Sequence, residues 1–337
     1  MYPLSSPIRK GGKLNQQIYN DLWTTRRKPV YAPMSAELRS FVACLDPLAA
    51  SATLQPDASF PRITIITPSY NQADFLERTI LSVLNQGYPN LEYIVVDGGS
   101  SDGSVEIIRK YDEYLYYWVS EPDSGQSDAI NKGLKLATGE WTGFQNSDDL
   151  FLPGSLHAFG EAMVEAPPAD LLYGDLLHID SDESVIDVHP LAPPHLWLQV
   201  THGLQIHNQA TLWRRNLLEK YGYLSEDLRF CFDYEFFTRL ISSDAKTRRV
   251  DRLIGAFRHH QEAKSSTMLE VAASEDSWVI KEYGGAMLLM MPSWLRRSLG
   301  KAYVGIWYLL NGRGWVVRRR VRRRLTASID RWRRSWA

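Results

Sequence analysis

Four short polar clusters hold the residues of this sequence best suited to chemistry: Pro68 to Asn71, Asp97 to Gly103, Glu121 to Gln126 and Asn146 to Asp149. The last crowds oxygen donors from Asn146, Ser147, Asp148 and Asp149 into four positions. Hard donors in such a cluster suit Mg2+ or Mn2+, which share their shell with substrate phosphates. A cation held by Asp148 and Asp149 would neutralise a diphosphate leaving group; alternatively, Asp149 caps a helix starting near Pro153. Asp97 ends an apolar run, and a carboxylate there needs a partner, which a base or ribose edge would supply. Gly98 to Gly103 lets backbone approach a ligand closely, or simply makes a tight turn with Asp102 as helix N-cap.

The elements that must position these clusters follow from periodicity. Apolar β-type runs at Ile63 to Thr67, Tyr93 to Asp97, Leu115 to Val119 and Trp141 to Gln145 alternate with helical patterns at Ala73 to Gln86, Ser104 to Tyr111 and Ser127 to Ala137. This alternation predicts an α/β fold, a mostly parallel sheet with helices on both faces. Each polar cluster follows a strand, so all four converge on the carboxyl edge of the sheet, where open α/β folds bind ligands. Neither a G-x-x-x-x-G-K-[ST] loop nor a G-x-G-x-x-G fingerprint is present, which disfavours an NTPase or a dinucleotide dehydrogenase.

The chain has 337 residues, 44% of them hydrophobic. Residues 1–60 read as an N-terminal extension with one helix around Ala36 to Cys44. Residues 61–265 read as the α/β domain, divided near 150 into two halves, and 266–337 as a basic helical tail. Cys44 and Cys231 form no metal-ligand spacing and no disulfide framework, which fits a reducing cytoplasm. No signal-peptide layout or membrane-spanning apolar run is found. From Trp294 to Ala337 there are thirteen Arg or Lys against one acid, so an acidic body carries a basic end. In that segment Val317, Val321, Leu325, Ile329, Trp332 and Trp336 form an apolar stripe among arginines. Such a helix suits an anionic bilayer surface, giving a peripheral protein on the inner face of the membrane. Nucleic acid would explain the charge but not the tryptophans. A helix docked on the acidic body is the alternative.

Thr67 to Gln72, Ser82 to Gln86 with Tyr88 and Pro89, Val96 to Gly103, Gly125 to Gly133 and Asn146 to Asp149 resemble, in order, the motifs of family 2 glycosyltransferases with the GT-A fold. The resemblance runs from about Arg62 to Lys264. It implies inverting, metal-dependent transfer from a nucleotide-sugar, usually a UDP-sugar, in bacterial surface polysaccharide or glycolipid assembly, onto a glycan or lipid-linked acceptor. It further implies that Thr67, Pro68, Tyr70, Asn71, Asp97 and Gly98 hold the uridine. The segment Asp123 to Asp128, including Gln126 and Asp128, together with Lys132 would then lie near the base and diphosphate, with 61–150 as the nucleotide-binding half and 151–265 as the acceptor half. The family's D-x-D motif falls on Asn146, Ser147 and Asp148, with Asn in its first position.

The segment Phe230 to Leu240 resembles the family's acceptor-side acidic motif, which puts the general base at Asp233. As a helix, this segment pairs Glu235 with Arg239 at i,i+4 and leaves Asp233 at the N-terminal end, where the dipole also favours an acid. His207 and Gln209 resemble an acceptor-side strand, and Arg258, His259 and His260 are placed to reach diphosphate or metal, His260 as a third metal ligand. Trp141 and Trp213 read as core, and Trp197 as an acceptor-cleft residue. Two other readings stay open: a silent sugar-nucleotide-binding protein, suggested by Asn146, and a nucleotidyltransferase, although the basic Gly-rich loop it would carry is not seen.

Overall fold

The computed structural model describes residues 59–313, apart from 166, 244, 286, 287 and 289. The N-terminal extension and the stripe from Val317 to Trp336 lie outside the described residues. The first half alternates as the periodicity predicts: β1 (Ile63–Ser69), α1 (Ala73–Leu84), β2 (Leu91–Asp97), α2 (Ser104–Lys110), β3 (Tyr117–Ser120), α3 (Gln126–Leu136) and β4 (Trp141–Phe144). All seven residues of β1 and of β2 are buried, as expected of central strands covered on both faces. Helix α1 turns Leu76, Thr79, Ile80, Val83 and Leu84 toward the sheet. The chain leaves it through Gly87, whose φ of 61° lies in the left-handed region.

The second half is β5 (Leu150–Phe151), α4 (Ser155–Val164), β6 (Leu171–Asp180), β7 (Val185–His189), α5 (Leu196–His202), β8 (Thr211–Arg214), α6 (Asn216–Tyr221), α7 (Phe232–Ser242) and β9 (Thr247–His259). It ends with α8 (Lys264–Thr267), α9 (Leu269–Gly284) and α10 (Ser293–Leu310). The strand order is β3-β2-β1-β4-β8-β6-β9-β5, with β7 paired to β6. The block β3-β2-β1-β4 is wholly parallel. Strand β8 joins it antiparallel to both β4 and β6, while β6 and β9 run parallel. Separate cores fill the two faces: Ile63, Ile65, Leu76 and Ile80 belong to one, and Ile66, Ile130, Phe144, Trp213 and Phe236 to the other. Trp141 and Trp213 are fully buried.

Helix α10 is docked rather than free. Val304 and Tyr308 pack with Ala192 and Leu198, and Tyr308 donates to the Pro190 carbonyl at 2.7 Å. Arg313 then pairs with Asp175 at 3.0 Å and with Asp251. The stretch from Ser293 to Arg313, expected as part of the basic tail, is thus packed on the rest of the described residues. No described helix is long and apolar enough to cross a membrane.

The packing of α3 on β1 sets how closely the Gln126 end approaches β4. A Cβ on Gly133 would lie 2.6 Å from Ile66 Cγ2. Gly133→Ala gains about 1 kcal/mol of helix propensity, but overpacking costs typically about 1–3 kcal/mol. Because Ile66 is completely buried and has no room to yield, we expect net destabilisation, seen as a lower urea midpoint with unchanged slope.

Candidate active site

The four polar clusters meet at one edge as the topology requires, around a cleft of about 1140 Å³. One wall carries Pro68, Tyr70, Gly98, Asp123 and Gln126, the floor carries Asn146 to Asp149, and the far wall carries His207 to Gln209, Phe230 to Tyr234 and part of α9. The cleft thus spans both halves of the sheet.

Asp149 organises the floor. It is 1% exposed, and it accepts from Arg258 N at 2.9 Å, Gln209 Nε2 at 2.7 Å and Asn146 Nδ2 at 3.0 Å. Burial and the neighbouring Asp148 push its carboxyl up. Both oxygens accept from the protein, so Asp149 braces the floor of the site. It does not cap a helix, since α4 begins after Gly154. Arg258 adds a second brace: 2% exposed, it donates through Nε to the Asp148 carbonyl at 2.8 Å and through Nη2 to Glu183. Thr79 Oγ1, on α1, lies 2.8 Å from the carbonyls of both Ser147 and Asp149.

Asp148 turns to the cleft with its Oδ2 3.0 Å from His260 Nε2. Adjacent corners of an octahedron with bonds of about 2.1 Å are about 3.0 Å apart. The pair therefore fits two protein positions in the shell of Mg2+ or Mn2+, which completes its coordination from phosphate and water. No group of three or more His, Cys, Asp or Glu placed to hold a metal occurs among the described residues. Asn146 bridges Gln126, whose Nε2 donates to it at 2.8 Å, and Asp149. The Asn in the first D-x-D position is thus part of a half-buried amide relay along the cleft.

Several expected nucleotide contacts hold loops instead. Asp97 is fully buried and accepts from Gly99 N, Ser100 N, Ser100 Oγ and Ser120 Oγ at 2.6–3.1 Å; it has no free face for a base. Thr67 is fully buried and its hydroxyl bonds Tyr93. Asn71, at φ 50°, accepts from Ser101 N and so ties the first cluster to the second. Asp102 reaches both Ala73 N and Ser104 N, although the cap position of α2 is Gly103. Asp128 accepts from Ser124 N, and Lys132 pairs with Glu121 and Asp128 at 3.3 and 3.4 Å. These last two brace the loop that carries Asp123. Pro68, Tyr70, Gly98, Gln126, Ser147 and Asp148 do line the cleft.

On the far wall, Asp233 stands in the first turn of α7 and accepts from Tyr234 N at 2.7 Å. Burial raises its carboxyl to about 6, a value suited to a base working near neutrality. Glu235 is unavailable for that role: Arg239 binds it bidentately and Tyr283 donates to it at 2.6 Å. Burial, helped by the neighbouring His178, keeps His207 neutral, with a value driven down to about 3. His207 Nε2, Asn208 Nδ2 and Gln209 Oε1 are buried along this wall without a hydrogen-bond partner. Trp197 is 40% exposed and stacks on His195, away from the cleft lining.

Sequence reasoning missed α9. Leu269, Ala272, Ala273 and Asp276 line the cleft at helical spacing, and Glu275 accepts from the backbone of Arg229, Phe230 and Cys231 at 2.7–2.9 Å. Glu275 thereby fixes the turn that leads into Asp233. No motif announces this helix; only its i, i+3, i+4, i+7 pattern of small and apolar residues could have pointed to a lining face.

Comparison with known proteins agrees with this architecture. Residues 64–231 match the model of glycosyl transferase family 2. An uncharacterized glycosyltransferase of Mycobacterium tuberculosis is 33% identical over 183 residues, 54% of this chain and 69% of that one. The putative teichuronic acid biosynthesis glycosyltransferase TuaG of Bacillus subtilis is 40% identical over 108 residues, 31% of this chain and 43% of that one. Among solved structures, S. aureus TarS gives a TM-score of 0.49 at 18% identity, covering 66% of this chain and 42% of that one. With the family match spanning the strands and clusters that build the cleft, and a relative matched over more than two thirds of its length, the chain belongs to glycosyl transferase family 2.

Proposed function

We propose that this glycosyltransferase moves a sugar, with inversion, from a UDP-sugar to a hydroxyl of a glycan or lipid-linked acceptor in surface polysaccharide or glycolipid assembly. The observation that carries this reading is that Asp148, itself paired with His260, and Asp233 line a single cleft. Asp233 accepts the proton of the acceptor hydroxyl as that oxygen attacks the anomeric carbon from the face opposite the leaving group. A divalent cation, when bound at Asp148 and His260, supplies charge neutralisation for the diphosphate. His207 to Gln209, with polar atoms left open, offer hydrogen bonds to sugar hydroxyls. The teichuronic acid label of the Bacillus relative supports the polysaccharide setting. The raised Asp233 carboxyl and the Asp148–His260 pair support this reading over that of a silent binding protein.

Membrane placement belongs to the same proposal. Helix α10 exposes Leu299, Tyr303, Ile306 and Leu310, spaced four, three and four apart, so one face of it is apolar. The sequence that follows, 314–337, holds nine arginines and one acid. An apolar face joined to arginines suits an anionic bilayer, and Arg297 on the same helix lines the cleft.

Substitution, pH and truncation each test this reading. Asp148→Ala should abolish the Mn2+-dependent part of UDP binding in calorimetry, together with turnover; metal dependence equal to wild type would remove Asp148 from the cation site. Asp233→Asn should retain UDP affinity and lose transfer by about 100-fold or more, the scale of general-base catalysis. Wild-type transfer should fall as pH drops through about 6, because the base becomes protonated. The stability effect has the opposite sense. Asp233 holds its proton more tightly folded than in the unfolded chain, where its value is near 3.8, so ionisation costs stability above pH 6. Asp233→Asn should accordingly melt higher than wild type at pH 8, and the difference should vanish below pH 4. Finally, truncation after Arg313 should reduce co-sedimentation with anionic vesicles at low salt while donor hydrolysis continues; equal recovery of both forms would exclude 314–337 as an anchor.

A further inference from the structure

Arg296 is a buried cation without a hydrogen-bonded partner among the described residues. It is 6% exposed, and its Nε is enclosed with no acceptor. The carboxylate beside it, Asp276 Oδ2, stays 4.0 Å from Nη2 of Arg296 and 3.9 Å from Nη2 of Arg297. Both separations exceed the reach of an N–H···O bond, about 3.2 Å. Two guanidinium groups therefore share one carboxylate that hydrogen-bonds neither, and one positive charge is left over. Burial pushes the Asp276 carboxyl up against the pull of Arg297 and Arg296, so this acid is harder to ionise than an exposed one.

The cluster opens on the acceptor side of the cleft. Arg297 and Asp276 line it, on the wall that carries Leu269, Ala272, Ala273 and Asp233. From Leu269 to Asp276 helix α9 advances about 10 Å, at 1.5 Å per residue. The Cys231 thiol is raised by burial and then by the charges of Asp233, Glu275 and Asp276, so the base and the arginines share one electrostatic neighbourhood. Trp294, one turn before Arg297 on α10, is exposed and gives the site an apolar neighbour. The proposed cation site at Asp148 and His260 is separate from this wall, so the arginines are not needed to hold the donor's diphosphate.

We propose that Arg297, backed by Arg296, binds a phosphoryl group carried by the acceptor, whose apolar chain runs over Leu269 and Trp294. The inference rests on the transfer reading above and narrows its acceptor to a phosphorylated amphiphile. Guanidinium forks match phosphate oxygens bidentately, and a phosphoryl group offers three acceptor oxygens. Once phosphate takes Arg297, Asp276 is released to close on Arg296, whose open donors are otherwise costly to bury. Because base and anion site share one wall, the attacked hydroxyl lies close to the phosphate. The enzyme therefore works at the lipid-proximal end of its product, after a reaction that places phosphate on an apolar alcohol.

Calorimetric titration of the full chain with hexyl phosphate, hexanoate and hexanol tests this, in metal-free buffer so that no cation at Asp148 captures the probe. Wild type should bind hexyl phosphate about tenfold or more tighter than either of the others, the scale of hydrogen bonds between charged groups. Arg297→Gln should lose that margin while UDP affinity in Mn2+ is unchanged. Asp276→Asn should tighten hexyl phosphate several-fold, a gain that a purely structural acid does not give, with the melting temperature used to verify folding. Arg297 is exposed, so Arg297→Gln decides if Asp276→Asn does not fold. Hexanoate bound as tightly as hexyl phosphate overturns the phosphate class. Hexyl phosphate unaffected by Arg297→Gln, or weakened in folded Asp276→Asn, overturns the site. Joint loss of hexyl phosphate and UDP in Arg297→Gln gives the arginine to the donor and overturns the acceptor assignment. Sedimentation with phosphatidylglycerol vesicles should be equal for wild type and Arg297→Gln; a loss there, with hexyl phosphate binding intact, makes the site a bilayer headgroup contact instead. Each of these failures leaves the transfer reading standing, whereas wild type that binds no UDP in Mn2+ overturns both.

Discussion

A buried carboxylate with three donors holds the two halves of the sheet in register at the place where chemistry occurs. Asp149 joins the end of β4 to β9 through Arg258 N, to the segment before β8 through Gln209, and to its own turn through Asn146. An unpaired buried charge costs several kcal/mol, so each partner is obliged to stay. The consequence reaches Asp148, whose carbonyl is gripped by Arg258 and whose carboxylate is thereby left facing His260.

The same division of labour recurs along the cleft. Asp97, Asn71, Asp102, Asp128 and Lys132 spend their polar groups on backbone N–H groups and on one another. Tyr70, Asp123 and Asp148 are left facing the cleft. Loops built this way keep their shape when a ligand leaves, which lowers the ordering cost of binding.

Sequence alone made the nucleotide half legible and the acceptor half much less so. Strands and helices from Ile63 to Phe144 follow local periodicity and pair in parallel with near neighbours, so pattern and topology suffice. Strand β9 pairs with β6 across a long separation, and the contact of Arg258 with Asp149 links residues 109 apart; periodicity carries no such information. The site shows a similar limit. That Asp97 ends a strand at the ligand edge was readable, but not that Ser100 and Ser120 saturate it. That Gly98 permits close approach was readable, but not that Asp123 makes the approach.

Helix α9 is both a wall of the acceptor cleft and a clamp on the base-bearing turn. Leu269, Ala272 and Ala273 face the cleft, while Glu275 grips the backbone ahead of Asp233. Under the proposed function, acceptor preference and proton abstraction would be mounted on one part. Engineering toward new acceptors can randomise positions 269, 272 and 273 as a compact library, provided Glu275 is held constant. A library that includes position 275 would lose most of its members to a misplaced base before acceptor recognition was ever sampled.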